Sequence, residues 1–297
     1  MAPLIDVRQL TKVYGETIGV EKLTFSVEVG QVFGFLGPNG AGKTTTIRLL
    51  LDLLRPTQGQ ITLFQLPLAD HSLQIRSRCG YLPGNFAGYA NMRATEFLDF
   101  ISRLRKPVDN SRKALIERFH LSTADLGKKI KHLSHGTRQK LGIIQAFFHW
   151  PQLIILDEPT TGLDPLMQEE FYHLVRETRH QGSTIFFSSH NLPEVEKICD
   201  RVAIVRHGEL VAFEKLETLK KKRYRRLRVR LQERIEPLEI TGAELLSHQE
   251  GCYEFLVRGD IHSVLKSLSA LPVEDVVFPE PDLEEVFLAY YQPEYRD

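Results

Sequence analysis

The nine residues Gly37-Pro38-Asn39-Gly40-Ala41-Gly42-Lys43-Thr44-Thr45 follow the spacing G-x-x-x-x-G-K-[ST] of a P-loop, in which each residue type has a task in holding a polyphosphate. The glycines leave room for backbone N–H groups to wrap phosphate oxygens. A helix that follows adds its positive N-terminal end. Lys43 is placed to reach the β- and γ-phosphates, and the Thr44 hydroxyl to hold Mg2+. A second set of donors lies downstream, in Leu153-Ile154-Ile155-Leu156-Asp157-Glu158. Asp157 is placed to orient Mg2+, directly or through water, and Glu158 to polarise an attacking water. Taken alone, this stretch is a strand that ends in polar residues at the surface. Paired with the first, it reads as the acid side of a phosphoryl-transfer site.

Such a pairing needs particular elements. Val32-Phe33-Gly34-Phe35-Leu36 is an apolar run that predicts a buried strand entering the loop. Residues 46–54 predict a helix leaving it and ending near Arg55-Pro56. The apolar run before Asp157 predicts a central parallel strand, which delivers its last side chains to the carboxyl edge of the sheet beside the loop. Residues 4–8 and 23–29 predict further strands, the second by its period-two alternation. Between them Tyr14 is expected on a loop, where its ring either packs or stacks on a base. Ser134 predicts an N-cap for the apolar helix from Leu141, an end that also suits an anion. Asp164-Pro165 predicts another N-cap with proline at N1.

Composition sets limits on these readings. The 297 residues fit one large domain and a small one, and 42% hydrophobic with 26% charged content is that of a soluble globular protein. Lys+Arg and Asp+Glu both number 38, so no global charge points to nucleic acid. The longest apolar run, Leu141 to Trp150, is too short to span a bilayer and is broken by Gln145 and His149. Residues 1–6 lack a basic region followed by an apolar core, so no signal peptide is expected. Cys79, Cys199 and Cys252 are far apart, which predicts reduced core thiols.

Residues 4 to about 215 resemble the nucleotide-binding domain of ATP-binding cassette (ABC) proteins. Residues 37–45 match its Walker A loop and 153–158 its Walker B strand with the glutamate. Leu133-Ser134-His135-Gly136-Thr137 matches the signature usually written LSGGQ, and Thr161-Gly162-Leu163-Asp164 the D-loop. Tyr14 matches the adenine-stacking position, and His190 the switch histidine that contacts the γ-phosphate. The resemblance implies an α/β P-loop NTPase fold with a mixed central sheet, an antiparallel β subdomain and a helical subdomain over about 85–150. It implies a domain at 1–220 and an α/β accessory domain at 221–297. Two cassettes would face head to tail around ATP and Mg2+. Lys43, Thr44 and Asp157 of one would bind Mg-ATP, and Ser134 and Gly136 of the other would close over it. Glu158 and His190 would act on water. Two departures stand out. His135 replaces the first signature glycine, so its side chain must point away from the nucleotide or narrow the site. Gly84 stands where the family has a glutamine that contacts Mg2+ and water, with Asn85 one residue on as a possible substitute.

The tail carries eight basic residues in the eleven from Lys220 to Arg230. They read as a solvated linker and strand face, or as a contact for anionic lipid headgroups. Residues 281–288 resemble the C-terminal extension of exporter ATPases that pair with ABC-2-type permeases. The implied function is the ATP-hydrolysing subunit of an exporter, cytoplasmic and held on the inner face of the cell membrane through a separate polytopic permease. A soluble ABC ATPase acting on nucleic acid or the ribosome, and an importer ATPase, are the alternatives.

Overall fold

A computed structural model describes residues 2–105, 110–221, 225–233, 235, 238–249, 251–257 and 260–278. The exporter-like stretch at 281–288 lies outside the described residues, as do Lys222 and Arg223 of the basic run. The chain forms two compact units, Met1–Leu216 and Glu217–Asp297.

The first unit opens on a hairpin of β1 (Ile5–Tyr14) and β2 (Thr17–Val27). β3 (Val32–Leu36) runs through the P-loop into α1 (Lys43–Leu50). Then come β4 (Gln58–Leu63), β5 (Leu66–Pro67), α2 (Leu68–Ser77) and β6 (Cys79–Leu82). A helical stretch follows, with α3 (Ala94–Leu104), α4 (Ser111–Arg118), α5 (Thr123–Gly127) and α6 (His135–Phe147). β7 (Leu153–Asp157), α7 (Pro165–His180), β8 (Thr184–Ser189), α8 (Leu192–Ile198), β9 (Arg201–Arg206) and β10 (Glu209–Lys215) complete it.

Two sheets result. The smaller, in the order β2-β1-β4-β5, is antiparallel. The larger, β10-β9-β3-β8-β7-β6, is parallel except for β10. The hairpin strands are longer than the sequence patterns suggest. Irregular register between Val7 and Val13 breaks the alternation on which the pattern relies, and the strand carries Tyr14 to the turn. The two sheets are held together by aromatic rings. Phe25 of β2 meets Phe35 of β3 at 5.6 Å, and Phe35 meets Phe186 of β8 at 5.3 Å between ring centres. Such pairs add about 0.5–1.5 kcal/mol each beyond their buried area. On the other face of β3, Gly34 gives α8 room, since a Cβ there would stand 3.0 Å from Val195 and Cys199.

Helix α6 lies close on β6. A Cβ on Gly80 would stand 2.1 Å from Ala146 O, and one on Gly142 2.6 Å from Leu82. Its far end carries His149, whose Nε2 lies 3.4 Å from Cys79 O and whose buried Nδ1 has no hydrogen-bond partner among the described residues. In α3 Phe97 and Leu98 are buried while Leu104 is exposed. Arg118 of α4 is half-buried. It pairs with Glu170 at 3.1 Å and Glu177 at 2.6 Å on α7.

Helix α9 (Leu216–Lys221) leads into the second unit, whose strands are β11 (Arg225–Leu231), β12 (Ala243–Gln249), β13 (Cys252–Val257) and, after α10 (Ile261–Ser269), β14 (Val273–Val277). They form one antiparallel sheet, β12-β13-β11-β14. Leu227, Val229, Tyr253 and Phe255 pack with Val264 and Leu268 of α10 into a core of its own. The alternating arginines face away from it, and Arg226 and Arg228 share Glu254 at 3.2 and 3.5 Å.

Burial, with the Arg105 charge in second place, holds the His149 imidazole down from 6.5 to about 4. The unfolded chain therefore takes up a proton between these values that the folded chain refuses. Burying the neutral ring costs the fold nothing through this proton above pH 6.5 and progressively destabilises it as pH falls towards 4, by about 3 kcal/mol in full. Denaturant unfolding should fall more steeply with acid in the wild type than in His149→Gln. Equal slopes would show that His149 titrates freely in the folded protein.

Candidate active site

Strands β3, β8 and β7 are neighbours and end at one edge of the central sheet. Leu36 pairs with Ser189 and Asp157 with Ser188, so the P-loop, the two carboxylates and His190 emerge side by side. Close approach dictates the loop glycines. A Cβ on Gly37 would stand 2.4 Å from Val205 O, and Gly42, at φ 101°, would place one 2.7 Å from Gly19 O. Only glycine fits either place. As the N-cap of α1, Gly42 also offers no side chain to the first-turn N–H groups, which leaves them for an anion. Within the loop Pro38, Asn39 and Gly40 are exposed, Ala41 is buried, and Thr45 is half-buried.

Lys43 and Thr44 open α1. The Lys43 ammonium donates to Gly37 O at 2.6 Å and Pro38 O at 3.2 Å, and pairs with Glu158 Oε1 at 3.3 Å. Thr44 Oγ1 donates to Asp157 Oδ2 at 2.8 Å, and Ser188 Oγ to Asp157 Oδ1 at 2.6 Å. His190 Nδ1 lies 2.8 Å from Glu158 Oε2. Two lines of contact thus cross the site, Lys43–Glu158–His190 and Thr44–Asp157–Ser188. The converging hydroxyl and carboxylate oxygens of Thr44 and Asp157 are the hard donors that Mg2+ takes, so the residues present fit that ion. Beside Asp157, burial first and its charge second push the Tyr81 phenol up to about 12, so it stays protonated.

Glu158 has a φ of 49°, in the left-handed region, which costs a non-glycine residue roughly 1–3 kcal/mol. The surroundings hold it there. Its N–H donates to both Ser188 O and Ser188 Oγ at 3.2 Å. From α6, buried Gln139 Nε2 donates to Pro159 O at 2.8 Å and reaches Glu158 O at 3.5 Å. The buried carboxylate of Glu194 accepts from Thr160 Oγ1 at 2.7 Å, Ser189 Oγ at 3.0 Å and Asn191 Nδ2 at 3.2 Å. Sequence reasoning missed all three supports. Gln139 left a signal, since it shares the buried face of α6 with Ile143 and Ala146 at helical spacing. Glu194 left none, because an acid in the first turn of a helix is ordinary.

The other expected residues lie elsewhere. Tyr14 ends β1, paired with Thr17, rather than lying on a loop. Its ring is 44% exposed, with Lys12 Nζ 5.3 Å from its centre. Ser134 Oγ accepts from Thr137 N at 3.1 Å as the cap of α6, and Asp164 Oδ1 from Met167 N at 3.0 Å as the cap of α7. Gly136 and His135 both abut Gly162. A Cβ on Gly136 would stand 2.6 Å from Gly162 O, and one on Gly162 2.1 Å from His135 Nδ1. A Cβ on Gly84 would stand 3.4 Å from Asp157 Oδ2, so that position lies against the carboxylate and carries nothing to reach a metal, while Asn85 is exposed.

Ser188→Ala removes a hydrogen bond to a charged oxygen and should raise the Mg2+ concentration for half-saturation with Mg-nucleotide roughly tenfold. Titration calorimetry at fixed nucleotide reads this. An unchanged Mg2+ requirement would mean that Asp157 is oriented without Ser188.

The family profile described as ABC transporter matches residues 20–161. An ABC transporter ATP-binding protein of Synechocystis sp. is 37% identical over 226 residues, or 71% of this chain and 62% of that protein. The chain therefore spans about three fifths of that relative's length. The bacitracin transport ATP-binding protein BcrA of Bacillus licheniformis is 38% identical over 78% of this chain and 76% of its own length. A solved ATP-binding subunit of an ABC transporter superposes with a TM-score of 0.68 at 30% identity, covering 74% of this chain and 92% of that one. With the P-loop, the Asp157-Glu158 strand end and His190 meeting on one sheet edge of the shared fold, the chain belongs to the ABC transporter family, among its ATP-binding proteins.

Proposed function

We propose that this chain hydrolyses ATP to power a separate membrane permease. The observation that carries the reading is the meeting of Lys43, Thr44, Asp157, Glu158 and His190 at the ends of three adjacent strands. Phosphate oxygens entering the P-loop compete for Lys43 with Gly37 O, Pro38 O and Glu158. Once Lys43 turns to the phosphates, Glu158 is released to act on a water. His190, already against Glu158 Oε2, orients that carboxylate. Mg2+ held by Thr44 and Asp157 would neutralise charge on the transferring phosphoryl group. Ser134 and Gly136 are assigned to the ATP of a second cassette, and Tyr14 to the base.

Among the described residues no helix is long and apolar enough to cross a membrane, and the permease of this reading is a separate polypeptide. The exporter direction rests on the resemblance of residues 281–288. The relative named for bacitracin transport agrees with a transport role. We place the protein on the cytoplasmic face through that permease.

Glu158→Gln should retain ATP binding and lower steady-state turnover at least a hundredfold, read by phosphate release beside equilibrium binding. Near-normal turnover would remove Glu158 from the chemistry. The transport reading is tested by tagging the chain, solubilising native membranes in mild detergent and identifying stoichiometric partners. A polytopic membrane protein supports it. Ribosomal or nucleic-acid partners, with the chain absent from membranes, would overturn it.

A further inference from the structure

Helix α6 touches the loop after Glu158 at two places. At its N-terminus the His135 ring abuts Gly162, so closely that a Cβ on that glycine would stand 2.1 Å from Nδ1. One turn on, Gln139 is 2% exposed, and its amide donates to Pro159 O at 2.8 Å and reaches Glu158 O at 3.5 Å. The loop between these contacts begins with a residue held in the left-handed region at φ 49°. Nothing in the chemistry of glutamate favours that conformation, so neighbours must impose it. Ser188 grips the N–H side of Glu158 and Gln139 grips the carbonyl side.

We infer that Gln139 is a positioning residue for Glu158, and that His135 and Gln139 together make α6 a brace for the 158–162 loop. The brace starts at the signature, beside Ser134 and Gly136. It therefore ties the element assigned to one ATP to the general base assigned to another. The histidine that departs from the signature pattern is one of its two anchors, its ring directed into the loop. The inference rests on Glu158 acting as the general base.

Three arguments separate this role from ordinary packing. Gln139 bonds to the backbone of the residue that carries the base and of its neighbour, not to a remote loop. The carbonyl it satisfies is inside the protein, so losing the donor leaves an unpaired acceptor beside Glu158. The anchors bear on residues 158, 159 and 162, whereas Lys43 is held by Gly37 O and Pro38 O and Thr44 by Asp157, so binding of nucleotide and its hydrolysis should respond differently.

The test uses the full chain with Mg-ATP. Gln139→Met keeps length and helix propensity and removes the donor. We expect kcat to fall at least tenfold while the Kd for a fluorescent ATP analogue stays within twofold. Unchanged kcat, or equal losses in kcat and nucleotide affinity, would overturn the inference. The His135 anchor is read by a cycle that does not depend on the first variant folding. Gly162→Ala should lower kcat at least fivefold more in the wild type than in His135→Ala, because the added methyl meets the ring only when the ring is there. An equal loss in both backgrounds would overturn the brace at that anchor. Absence of hydrolysis by the wild type, with Mg-ATP bound, would instead overturn the reading of Glu158 and this inference with it.

Discussion

The ammonium of Lys43 is the charge that the rest of the site is arranged to satisfy. It is 6% exposed, and a buried cation is tolerated only with oxygen around it. Two of those oxygens are carbonyls of the P-loop itself and one belongs to Glu158. The requirement propagates outward. Gly37 must lie against β9 for its carbonyl to point at Lys43, and Glu158 must leave β7 in a strained conformation for its carboxylate to do so. Ser188, Gln139 and Glu194 are then needed to hold the loop that results. Lys43 and Glu158 neutralise one another, and in the proposed mechanism neither is free until phosphate claims the cation.

Much of this was legible in the sequence. The P-loop and the strand ending in Asp157-Glu158 identify themselves, because phosphate and metal chemistry restricts both residue type and spacing. Ser134 and Asp164 cap the helices expected of them, since capping is a local rule. The buried run at 153–157 became a strand.

What escaped depends on contacts between distant segments. The hairpin strands run further than the pattern shows, because irregular pairing spoils alternation without ending the strand. Tyr14 was expected on a loop for that reason. Helix α2 passed unnoticed because its buried residues, Leu68 and Ile75, leave little periodic signal. The positive φ at Glu158 is set by its partners and has no local signature. His135 could be seen to break a pattern, but its direction depended on where Gly162 folds.

The tight seating of α6 on β6 has a mechanical side. With Gly80 and Gly142 in near contact with the opposing element, the helix has no clearance in which to slide or roll. It is welded to the sheet, and one end of it bears the signature residues. Whatever displaces the signature end of α6 therefore has to move β6, at the edge of the central sheet, with it.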